Sequence, residues 1–298
     1  MKTLLQNLFD LESPHSIGTK IYLRLFELFI VFNTLIFAWE WGYYILKLSD
    51  VVLPLGVAQY IDIELFFGNN LPIVNALAIT LLSIAAFSFK RVKWLYGIVF
   101  ILIHLQFVAR YSQGEIPHSQ SLLGLSVLGL GIGSVFLKNK QRSLHFAFGF
   151  VLFFIGLGYT TAGFSKLIGT GVTWVDGRHL WLWIGEKSTD VLSDTGQYQI
   201  NFIQETVLNH WWLGTFILAA GIITELSGFL LWWKKFRIYI FIMLIGLHIG
   251  IYTMMNILFF YYSIELLIIG FPWHKLFNKV IDESKVNAEH SLHKFLLY

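Results

Sequence analysis

Cysteine is absent from all 298 residues, which excludes disulfides, thiol nucleophiles, thiolate metal sites and attached haem. Charge is scarce as well. Asp, Glu, Lys and Arg make up 13% of the chain, against about 25% in a soluble domain. No fixed-period repeat, low-complexity tract or linker interrupts it, so it reads as one domain. Residues 1–19 carry Asp10, Glu12 and Pro14 and lack the apolar core and small-residue cleavage site of a signal peptide. What is present is apolar: 56% hydrophobic and 17% aromatic residues, with a mean hydropathy of +0.65. This composition predicts an all-α, polytopic membrane protein whose first partner is the lipid bilayer, and whose location is the cell membrane.

Apolar runs near the length of a membrane span, about 17–25 residues, fall at 20–47, 71–89, 92–109, 119–137, 143–165, 207–233, 237–254 and 256–271. The last is marginal in length. Three short connections hold basic triplets without an acid: Lys90, Arg91 and Lys93; Lys138, Lys140 and Arg142; Lys234, Lys235 and Arg237. Alternate connections carry mixed or acidic charge. The positive-inside rule therefore predicts a bundle of about eight transmembrane helices with both termini cytoplasmic. The same triplets account for the +3 net charge as a topology signal, with no nucleic acid as partner. The expected organisation is an interfacial segment 1–19, a transmembrane domain 20–273 with an outer loop 166–206, and a cytoplasmic tail 274–298.

Ionisable groups inside a span cost at least about 2.5–3.5 kcal/mol each, so each needs a reason. Arg24 and Glu27 stand three apart on one helical face, which predicts a local ion pair. His104, Glu225 and His248 lie roughly 12–16 Å from the inner ends of their runs at about 1.5 Å per residue. One reading pairs Glu225 with His248 across helices as structural glue. Tyr252 and Met255 follow His248 at i+4 and i+7, a face that either lines a cavity or packs. Gly129 and Gly133 form a GxxxG pattern, expected to let two helices approach closely. The chain has no HExxH, and its histidines do not cluster except for His290 and His293 in the tail, so no metal is expected.

The richest stretch is Tyr159–Gly177, YTTAGFSKLIGTGVTWVDG. Lys166 ends a long apolar run there. One reading makes it an anchor whose stem snorkels to the headgroups; the other makes it a desolvated amine able to act as a base. Asp176, if close, would favour the charged amine. His118, after Pro117, is predicted on the same outer side, together with Trp174, Trp181 and Trp183.

Tyr159, Ala162, Gly163, Lys166, Leu167, Trp174 and Gly177 together resemble the signature of the membrane domain of vitamin K-dependent gamma-carboxylase. That domain also occurs alone as the HTTM (horizontally transferred transmembrane) family. The segment PHSQSLLGLSVLGL, with His118, is similar to the family's His-Ser segment. The order Glu225, Arg237, His248 and Phe271-Pro272-Trp273 is similar to its later helices. The likeness covers roughly 15–273. It implies that Lys166 is the base that deprotonates a vitamin K-like hydroquinone, a reduced quinone cosubstrate, with His118 in support. Oxygen would then react with the anion, and carbon dioxide would add to a deprotonated glutamate. Tyr159, Trp174, Gly177, Glu225 and His248, which carry the likeness, and Tyr252, one turn after His248, are the candidates for binding substrate or cofactor. The carboxylase's large lumenal domain is not within these residues, which shifts the expected substrate toward a small molecule, or a peptide presented by a partner protein. The alternative expectation is a non-catalytic membrane protein that assists maturation or export of a secreted peptide.

Overall fold

The computed structural model describes residues 2–9, 11, 15–48, 53, 55–114, 121–137 and 139–281. Among them every regular element is helical. Five helices are long and apolar enough to cross a membrane: Ile17–Ile45, Leu71–Ser88, Lys140–Val175, Trp211–Trp232 and Arg237–Met255. Shorter apolar helices, Leu95–Tyr111, Ser121–Phe136 and Phe260–Gly270, occupy the remaining predicted runs. The last has 11 residues, about 16 Å at 1.5 Å per residue, short of a hydrocarbon core of about 30 Å. It is short because the preceding helix stops at Asn256, whose φ of 53° is left-handed, and 256–259 are irregular.

The chain forms two compact units, one from Met1–Val151 with Pro272–Tyr298 and one from Leu152–Phe271. The first unit contains α1 (Lys2–Phe9), α2 (Ile17–Ile45), α3 (Leu71–Ser88), α4 (Leu95–Tyr111), α5 (Ser121–Phe136), the start of α6 (Lys140–Thr170) and α12 (Trp273–Val280). Ser16 caps α2 by accepting from the Thr19 amide. The expected Arg24–Glu27 pair is present at 2.6 Å and belongs to a larger buried cluster. Glu27 also accepts from Lys93 and from the Tyr96 hydroxyl at 2.9 Å, which ties α2 to the start of α4. Ser134 Oγ donates to the Lys93 carbonyl at 3.0 Å, so the end of α5 and the turn carrying Lys90, Arg91 and Lys93 lie together. At Gly129 and Gly133 an added Cβ would come within about 3 Å of Phe150 and Ser143, which is the close packing the GxxxG pattern predicts. The other end of this unit carries the segment after α2, where Ile63, Phe66 and Phe67 bury against Ile45, Val108 and Ala109. α1 lies on α6, with Leu8 buried and Phe9 stacked on Phe146.

The second unit holds the rest of α6, α7 (Gly177–Thr195), α8 (Phe202–Asn209), α9 (Trp211–Leu226), α10 (Arg237–Met255) and α11 (Phe260–Gly270). A 3₁₀ turn, Ser227–Trp232, extends α9. The segment 166–206, too long and too amphipathic for a simple turn, is largely helical: α6 runs on to Thr170, and α7 and α8 follow. Its apolar residues explain this: Leu180 and Ile184 of α7 and Val207 of α8 bury against Leu218 and Met254. The polar groups of α8 tie this cap to the end of α10, since Gln204 donates to the Met254 carbonyl at 2.9 Å and Asn201 to that of Thr253 at 2.7 Å.

Candidate functional site

Three glycines set the site. At Gly156 an added Cβ would lie 2.7 Å from the Trp232 indole nitrogen, and at Gly228 2.8 Å from Tyr159 Cβ. At Gly163 it would lie 3.0 Å from Leu226. Without these side chains α6 runs close and antiparallel to α9 and its 3₁₀ extension, and Thr160 accepts the Phe229 amide at 2.8 Å. Lys166 follows Gly163 by one helical turn, and Glu225 precedes Leu226. The close approach at Gly163 therefore delivers the Lys166 ammonium to Glu225 Oε1, where it donates a hydrogen bond. Glu225 lies 14 residues into α9, about 21 Å from its start at 1.5 Å per residue. Lys166 thus meets its carboxylate partner well along α9 rather than at its start.

Burial at the pair is uneven. The Lys166 side chain is 30% exposed and that of Glu225 9%. The Trp174 ring covers the amine at 5.0 Å from its centroid, a cation–π contact. Glu225 Oε2 is buried with no hydrogen-bond partner among the described residues. A buried carboxylate oxygen left so costs free energy unless a ligand or water meets it.

Both residues stand in the wall of a cavity of about 570 Å³ between α9, α10 and the cap. Its surface is apolar, with Phe216 and Gly221 on α9, Met243 and Leu247 on α10, and Trp183 above. Gly246 and Gly250 lie one turn apart on its α10 wall, and no atom lies within 4 Å of where their Cβ atoms would be. Their lack of side chains leaves the space open. The volume falls within the roughly 300–1,000 Å³ of small-molecule sites, which combine apolar walls with few polar groups.

A second polar pair joins α6 to α10. The Tyr159 hydroxyl and His248 Nε2 are 2.5 Å apart. His248 sits in an aromatic box of Tyr159, Phe259 and Tyr262, with ring centroids 5.0–6.0 Å away. Its Nδ1 is buried and has no partner among the described residues. Tyr159 and His248 thus hold each other one turn and more below Lys166.

The sequence-chosen residues separate on this geometry. Lys166, Trp174 and Glu225 meet at the cavity, and Tyr159 and His248 meet beneath it. Glu225 does not pair with His248, which overturns the structural-glue pairing: the lysine and the tyrosine are the nearer partners. Asp176 is not the lysine's carboxylate either. It caps α7 and binds Arg178, whose side-chain and backbone hydrogen bonds hold its carboxyl down at about 2. Gly177 is a packing position, where an added Cβ would fall 1.9 Å from the Trp211 carbonyl and its amide donates to Thr215 Oγ1 at 2.9 Å. Tyr252 is 50% exposed and is not part of the cavity wall, whereas Met255 is. His118 lies outside the described residues. Sequence reasoning missed the two α10 glycines, although their i, i+4 spacing on an apolar helix was visible.

The chain matches no protein-family model, no curated protein and no solved structure.

Proposed function

We propose that this chain is an integral membrane enzyme whose Lys166, partnered by Glu225, acts as a base on a lipid-soluble, hydroquinone-like cosubstrate held in the cavity. The proposed setting is eight spans with both termini cytoplasmic and the cavity toward the outer side, as the basic triplets favour. The observation that carries the reading is an amine and a carboxylate, hydrogen-bonded to each other, in the wall of an apolar cavity of ligand size. Such a pair has two forms of equal net charge, ammonium with carboxylate or amine with carboxylic acid. Passing the proton to Glu225 therefore frees the amine without adding charge to the apolar wall. The free amine then takes a phenolic proton: the O–H bond breaks, an N–H bond forms, and the negative charge stays on the hydroquinone oxygen beside the new ammonium. The resemblance to the carboxylase membrane domain supports the same lysine as base and molecular oxygen as the next reactant. Modification of a small or peptide substrate would follow from that chemistry.

The experiment uses the purified chain in detergent with a short-chain naphthohydroquinone in aerated buffer, and follows quinone formation above the protein-free rate. Lys166→Ala and Lys166→Arg should each lose the excess rate, a general base contributing about 10²–10⁴-fold. Arginine is the informative variant, because it can keep the contact to Glu225 but stays protonated. Full activity in Lys166→Arg would remove the base and leave a structural link between α6 and α9. A membrane protein that only assists peptide maturation or export would then be the better account.

A further inference from the structure

The first unit contains a second cavity, of about 550 Å³, which the proposed chemistry does not use. It opens where α6 begins, between the end of α1 and the entry to α2. His15, Asn139, Gln141, Arg142 and His145 supply its polar wall, and Phe9 and Phe146 its apolar side. The chemistry of this wall is one-sided. It offers a guanidinium, two imidazoles and two carboxamides, and no carboxylate lines it among the described residues. Arg142 is exposed and its guanidinium has no ion-pair partner among the described residues, while His145 is 8% exposed. Among the described residues this wall offers donors and no anion, which suits a ligand that brings the anion. A guanidinium matches a phosphate in both charge and planar donor geometry.

The surroundings narrow the ligand further. α1 is an eight-residue helix lying on α6, with Leu8 buried and Phe9 stacked 5.5 Å over Phe146, while Leu5 is 47% exposed. That is the arrangement of a helix in the membrane interface, with one apolar edge on protein and another toward acyl chains. The cavity also adjoins the turn of Lys140 and Arg142, one of the basic connections that favour an anionic leaflet. We propose that this cavity binds a phosphate group, that of an acidic phospholipid headgroup whose acyl chains lie along α1 and α6.

The test uses the full chain in detergent, with dioleoyl phosphatidylglycerol, dioleoyl phosphatidylcholine and inorganic phosphate as separate probes. Bound lipid is counted by native mass spectrometry, and the thermal midpoint is followed against probe concentration. Phosphatidylglycerol should bind about tenfold more tightly than phosphatidylcholine and raise the midpoint as a ligand of the folded state does. Arg142→Gln should lower that affinity about tenfold and His15→Gln lower it further. Neither should move the lipid-free midpoint, because both side chains are exposed. A response to inorganic phosphate alone, equally lost in Arg142→Gln, would support the same chemistry with a soluble phosphate as its source. Equal affinity for the two lipids, or an unchanged affinity in Arg142→Gln, would overturn the proposal.

Discussion

At the scale of single residues, the pair at the cavity wall is more informative than the lysine alone. The cost of ionisable groups inside apolar helices singled out Glu225 and His248, and the resemblance to the carboxylase motif singled out Tyr159 and Lys166. Neither could assign the partners. Pairing depends on which helices are neighbours and on their vertical register, and neither is written in any one run. The register here is set by Gly156, Gly163 and Gly228, residues with no chemistry of their own. Once Lys166 and Glu225 are partners, the carboxylate acquires a role that an isolated acid in a span does not have. Glu225→Gln preserves size and can still accept a hydrogen bond from the lysine, but it cannot take the lysine's proton. The proposed mechanism expects hydroquinone turnover in this variant to fall by about 10²-fold or more, with the detergent thermal midpoint nearly kept. Steady-state rates beside melting curves check it. A large loss of stability with unchanged turnover per folded molecule would place Glu225 in the scaffold instead.

At the scale of elements, the apolar runs were legible, and their ends were not. Each run became a helix, since about twenty apolar residues have few other ways to satisfy their backbone in lipid. The segment after Lys166 carries five acids, so its composition marks it as too amphipathic for a simple turn without giving the ends of its helices. In fact α7 buries only a narrow stripe, Leu180, Ile184 and Ser188, and exposes the acids. Its start is fixed by Asp176, which accepts from the Arg178 amide at 3.0 Å and binds the Arg178 side chain; its end is fixed by Gly196 at a φ of 73°. The Asp176 carboxyl is depressed from 3.8 to about 2, first by the Arg178 side chain and then by the Arg178 amide. A depressed carboxyl gives stability that is complete above its ordinary value and is lost as pH falls through the folded value. The first turn of α7 should therefore keep its amide protection factors down to about pH 4 and lose them toward pH 2. Asp176→Asn retains a capping oxygen without a titrating proton, so its protection should not change across that window. Hydrogen exchange read by mass spectrometry on peptides covering 176–182 distinguishes the two, and a pH response surviving in the Asn variant would exclude Asp176 as its origin.

At the scale of the whole molecule, charge sets the direction in which helices run through a bilayer. Five helices are long enough to cross, while α4, α5 and α11 have 17, 16 and 11 residues. Short helices buried among long ones need not each reach both surfaces, so hydropathy alone does not fix the number of crossings. The basic turns give the direction an energetic basis: moving Lys or Arg across a membrane against the potential costs about 2.3 kcal/mol per charge per 100 mV. In the proposed topology Arg91, Gln141 and Lys235 face the cytoplasm, and Gln197 in the turn between α7 and α8 faces out. The absence of cysteine makes this directly measurable, because any introduced thiol is the only one in the chain. Gln197→Cys should react with a membrane-impermeant maleimide on intact cells. Arg91→Cys, Gln141→Cys and Lys235→Cys should react only after permeabilisation. Labelling of both Gln141→Cys and Gln197→Cys only after permeabilisation would mean that an odd number of crossings had been miscounted between them. The cavity bearing Lys166 and Glu225 would then open toward the cytoplasmic leaflet, and any substrate presented from outside would be ruled out.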